Sequence, residues 1–74
     1  MPVMSDTEAK TIIESMLDSA ITDVASFHRR INDLEADFNA DPSPDTAHQI
    51  MRVKARLARR AKEGAALAIA ATKF

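Results

Sequence analysis

Apolar residues recur along the first half of the chain at alternating steps of four and three: Ile13, Leu17, Ala20, Val24, Phe27, Ile31, Leu34 and Phe38. That heptad spacing keeps one stripe of a helix turned toward a partner helix. It predicts a helix over about residues 6–39, a rod about 50 Å long at 1.5 Å per residue. The helix opens on Ser5-Asp6-Thr7-Glu8, a capping box in which the Ser5 hydroxyl and the Glu8 carboxylate satisfy each other's free backbone N–H groups, with Met4 placed to pack on Ala9. Two prolines in Asn39-Ala40-Asp41-Pro42-Ser43-Pro44-Asp45 then push their predecessors out of the α region and end it. The same segment starts a second helix, with Ser43 as N-cap, Pro44 at the first helical position and Asp45 on the positive end of the dipole. This second helix is expected over about 45–72, with Ile50, Val53, Leu57, Ala61, Gly64, Ala68 and Ala71 on its inner stripe. A turn at 40–44 is short enough to force the two rods to lie antiparallel, so the pattern predicts an all-α two-helix antiparallel hairpin as one domain over 1–74.

Both helices carry more apolar surface than one partner can cover. The stretch Gly64-Ala65-Ala66-Leu67-Ala68-Ile69-Ala70-Ala71 is apolar on every side, and Ile12, Met16 and Ile21 widen the apolar face of the first helix at the same end. A chain of 74 residues also has too little core to be comfortable alone. Assembly into a homo-oligomeric helical bundle follows as an expectation, closed by a symmetric contact built from Ile12, Met16, Ile21, Gly64, Leu67, Ala68, Ile69, Ala71 and Phe74. Gly64 costs a helix interior about 1 kcal/mol relative to alanine, which points to a close crossing of backbones there.

Composition narrows the chemistry. There is no cysteine, hence no disulfide or thiolate metal site, and His28 and His48 are too few for a closed zinc centre. No tryptophan or tyrosine is present and little is β-branched, so no strand is expected. No apolar run is long enough to span a bilayer, and Met1 to Asp6 lack the features of a secretory signal, so a cytoplasmic location is expected, in the host cell cytosol if the gene is a phage's. No phosphate-cradling glycine loop, nucleophile elbow or carboxylate pair at metal spacing occurs, which argues against an enzyme and against a bound cofactor.

The net charge of −1 conceals two halves of opposite sign. Residues 1–45 hold 3 Lys/Arg against 10 Asp/Glu, and residues 46–74 hold 7 against 1. Within the basic half, Arg52, Lys54, Arg56, Arg59, Arg60 and Lys62 cluster, and antiparallel pairing brings His28, Arg29 and Arg30 of the first helix level with Arg56, Arg59 and Arg60. Like charges at these spacings repel unless an anion lies among them. One reading of such a belt is a solvated face with ion pairs to Asp23, Asp33 or a neighbouring subunit; the sharper one is a phosphate site built from guanidinium forks. Extended nucleic acid fits poorly, because acidic residues bracket the belt and no aromatic is offered for base stacking.

The segment from Asp41 to Phe74 resembles the helical hairpin of phage-encoded sponges that sequester immune signalling nucleotides, the anti-CBASS and anti-Thoeris type. The likeness lies in the turn Asp41-Pro42-Ser43, in Leu57-Ala58, Glu63, Ala65 and Leu67 on the following helix, and in the close Thr72-Lys73-Phe74. It implies a homo-oligomer of hairpins whose pockets between subunits hold a cyclic dinucleotide or an ADP-ribose-derived signal without cleaving it. The chain lacks the tyrosine such sponges stack on bases and their N-terminal ligand loop, so none of their binding residues carries over. A second reading, from a structural class, is a hairpin similar to secretion-needle subunits or their chaperones, in which the apolar end docks a partner helix.

Overall fold

The structure, a computed structural model, describes residues 4–74. The expectation about a secretory leader therefore lies partly outside the described residues. Helix α1 spans Asp6–Ala40 and helix α2 spans Pro44–Ala71, packed against each other and joined by Asp41, Pro42 and Ser43. The Ser5 hydroxyl accepts the Glu8 N–H at 3.2 Å, while no return bond from the Glu8 carboxylate forms, so the capping box is half made. Ser43 caps α2 by accepting the Thr46 N–H at 3.5 Å, with Pro44 at the first helical position as its fixed φ favours. At the far end the Thr72 hydroxyl donates to the Ile69 carbonyl at 2.7 Å and satisfies one of the last free acceptors.

All eight residues of the α1 stripe, from Ile13 to Phe38, are buried or half-buried, as the spacing requires. The α2 stripe differs from expectation at two levels. From Ile50 on, the heptad row of half-buried and buried positions is Ile50, Val53, Leu57, Arg60, Gly64, Leu67 and Ala71, with Ala70 half-buried beside its end, whereas Ala61 and Ala68 are exposed. The reason is geometric. After Leu57 a strict heptad steps by three, not four, and the only side chain at that step is an arginine, whose aliphatic stem packs while its head reaches out.

A Cβ added to Gly64 would lie 3.5 Å from the Ala20 Cβ, which fixes the register. Counting outward from that level at heptad spacing sets Leu17 beside Leu67, Val24 beside Arg60, Phe27 beside Leu57 and Ile31 beside Val53. Gly64, Leu67 and Ala71 thus face α1 of their own chain. The separation at Gly64 is ordinary van der Waals contact, so the crossing is close without requiring glycine.

Among the described residues only Ala20, Ile31 and Val53 are buried. The hairpin measures 58 × 18 × 16 Å with a radius of gyration of 17.1 Å, against about 11 Å for a compact domain of this length. Its accessible surface is 5688 Å², where a folded monomer of this mass exposes about 4,500 Å². Among the described residues no helix is long and apolar enough to cross a membrane.

Two outcomes are expected in urea denaturation. Ile31→Ala should cost about 2 to 4 kcal/mol, because it hollows one of the few sealed levels. Gly64→Ala should instead stabilise by about 0.5 to 1 kcal/mol, since the added methyl meets Ala20 at contact distance and the helix gains propensity; a loss would show that the crossing does need glycine.

Candidate functional site

The heptad seam divides the hairpin surface into two flanks, and neighbouring residues on either side of each seam position fall on opposite ones. Residues one before a seam position line the first flank: Asp23 and Arg30 from α1; Gln49, Arg52, Arg56, Arg59 and Glu63 from α2. Residues one after line the second: Ile21 from α1 and Ala61 and Ala65 from α2. The second flank also holds the ion pair of Lys54 with Glu35, at 3.4 Å between two half-exposed side chains.

Two hollows share the first flank and meet at Arg56. In the larger, about 220 Å³, the walls are Asp23, Phe27, Arg56, Arg59, Arg60 and Glu63. Here Arg60 is already occupied. Its Nε donates to Asp23 Oδ2 at 3.0 Å, Nη1 donates to Glu63 Oε2 at 2.6 Å and Nη2 donates to Ser19 Oγ at 3.4 Å. The bond to Glu63 and then that to Asp23 hold the guanidinium proton even more firmly than in a free arginine. Arg60 therefore ties α1 to α2 across the seam, and a ligand would have to displace a carboxylate to use it.

The smaller hollow, about 160 Å³, is lined by Arg30, Gln49, Arg52, Val53 and Arg56. Three arginines line it with no carboxylate among the lining residues, and none of the three forms an ion pair among the described residues. Gln49, Arg52 and Arg56 follow one edge of α2 at steps of three and four, so one helix face supplies three polar heads while α1 supplies Arg30 opposite. Val53, sealed in the seam beneath, forms the floor.

The expected belt is thus divided and shifted by about one helical turn. Arg30 meets Arg52 and Arg56 instead of Arg59 and Arg60, because the register pairs Ile31 with Val53. Arg59 borders only the hollow that holds Arg60. Arg29 and Lys62 are exposed and, by helical spacing, point away from the seam, and His28 lies on the second flank. Of the residues expected at a subunit contact, Ile12 and Met16 fall on the first flank and Ile21, Ala68 and Ile69 on the second, all exposed, with Phe74 exposed at the end. They do not form one patch. Gln49 was not anticipated, although its spacing from Arg52 and Arg56 is visible in the sequence once the seam is known.

Comparison with known protein families, with characterised proteins and with solved structures returns no match.

The different surroundings of Arg60 and Arg56 have a measurable consequence. Arg60→Gln should lower the melting temperature, because it leaves Asp23 and Glu63 without their shared cation. Arg56→Gln should leave it unchanged or raise it, because it relieves repulsion among three unpaired cations; equal losses from both would show that Arg56 is also structural.

Proposed function

We propose that this chain is a non-enzymatic helical hairpin that self-associates and holds a small phosphate-bearing signalling nucleotide, acting by sequestering it. The observation that carries this reading is the convergence of Arg30, Arg52 and Arg56 on one hollow with no carboxylate to neutralise them. Guanidinium forks match phosphate oxygens two at a time, and a bound phosphate converts mutual repulsion into shared attraction. The Gln49 amide adds a donor that can serve the same oxygens.

The hollow is large enough for a phosphate and too small for a whole nucleotide. The sugar and base extend past Arg56 into the neighbouring hollow, where Phe27 offers an apolar wall and Asp23 and Glu63 offer acceptors for hydroxyl or amino groups. Sequestration is the role that the resemblance to phage counter-defence sponges implies. Self-association is supported by the exposed Met16, Ile21 and Ile69 and by an accessible surface well above that of a compact monomer. The same apolar surface favours a second reading, a structural or adaptor hairpin whose partner is another helix. A fixed stoichiometry without a nucleotide effect would select it.

The test is thermal melting against inorganic phosphate, AMP, ADP-ribose and cyclic dinucleotides. At least one nucleotide should raise the melting temperature by several degrees, Arg52→Ala with Arg56→Ala should abolish the rise, and Arg59→Ala should only reduce it. Chromatography of the recovered nucleotide should show it unchanged. Absence of any shift across the panel, or conversion of the ligand, overturns the proposal.

A further inference from the structure

We infer that the second flank is the face through which two copies of this chain pair, side by side about a two-fold axis parallel to the helices, so that each α1 packs on the partner's α2. This rests on the self-association proposed above and specifies where it occurs. The flank holds a groove of about 310 Å³ lined by Leu17, Ala20, Ile21, Val24, Gly64 and the exposed Ala61 and Ala65. By helical spacing Ala58 and Ala68 continue the apolar edge of α2 and Ile69 stands at its outer rim, with Ile69 and Ile21 each about 60% exposed. On the first flank the apolar residues, Ile12, Met16, Ala66 and Ala70, are confined to the end away from the turn. Its middle carries Asp23, Arg30, Arg52, Arg56, Arg59 and Glu63, and covering those groups would strip water from charged side chains and close the arginine-lined hollow.

Charge selects the second copy as occupant and fixes its orientation. Helix α1 holds 8 Asp/Glu and 3 Lys/Arg, and α2 holds 6 Lys/Arg and 2 Asp/Glu. An axis parallel to the helices makes a square bundle in which every adjacent pair joins an acidic helix to a basic one, and helices of like sign are diagonal. The perpendicular axis would set α1 against α1. On the rim of the flank, Glu14 and Asp18 on α1 and Lys62 on α2 make no ion pair within the hairpin. The parallel axis preserves every level, so Asp18 comes within about one helical turn of Lys62 of the partner.

In this pair the Arg30, Arg52 and Arg56 hollow of each chain faces outward and is complete within one hairpin. Two ligand sites lie on opposite faces of the dimer, not between its subunits.

Sedimentation equilibrium of the full chain tests the assignment. Wild type should have twice the chain mass at micromolar concentration, and Ala65→Glu, a change at an exposed helix position, should weaken the dimer about tenfold or more, whereas Ile12→Ser with Met16→Ser on the first flank should leave it intact. Lys62→Glu should weaken pairing, and adding Asp18→Lys should restore it, a reciprocity that loss of hairpin stability would not produce. A monomeric wild type removes self-association altogether. An associated wild type that Ala65→Glu leaves unchanged, or that Ile12→Ser with Met16→Ser dissociates, removes only this interface. Failure of the charge exchange to restore pairing removes the orientation.

Discussion

A loop of three residues between two long helices leaves the hairpin almost no freedom of register. Once Gly64 sits against Ala20, every other level follows from helical geometry alone, and the placement of each surface group follows from the levels. The two inner stripes meet along their whole length, yet each level contributes only one side chain per helix. A seam so narrow seals just three side chains fully and leaves its outer neighbours in water. Both the polar site and the apolar groove are consequences of that geometry, since a two-helix contact always has two open sides.

Arg60 shows how one polar residue in the seam shapes what lies around it. An aliphatic residue at this level would lengthen the apolar core by one layer. Arginine instead places its stem beside Val24 and carries its head to Asp23, Ser19 and Glu63 on the first flank. These bonds are partly exposed, so their worth is more in selecting the register than in adding stability. A shift of one turn would separate Arg60 from Asp23 and place a cation against apolar neighbours. The arginine cluster is thereby divided: Arg60 is held in ion pairs across the seam, whereas Arg30, Arg52 and Arg56 form none among the described residues.

The two flanks then take different physical characters from one amino-acid pattern. Along α2, residues that precede seam positions are polar from Gln49 through Arg52, Arg56, Arg59 and Glu63 and turn apolar only at Ala66 and Ala70, whereas those that follow include Ala58, Ala61, Ala65 and Ala68. Polar heads on one side of the middle of the helix and small apolar groups on the other put a cationic hollow and an apolar groove on separate surfaces of the same helix.

The sequence by itself determined the helices, their caps, the turn and the antiparallel pairing, because these follow from local spacing, from proline stereochemistry and from chain connectivity. The α1 stripe was legible in full for the same reason. On α2 the period was visible but the phase was not: Arg60 and Ala61 are adjacent, alanine is the more apolar, and only packing against α1 shows that the arginine stem takes the inner place. That single choice moved Leu67 into the seam, turned Ala61 and Ala68 outward and decided which arginines meet. Tertiary structure alone could settle it, because hydrophobicity ranks side chains one at a time, whereas a seam selects the row that keeps two rods in contact along their length.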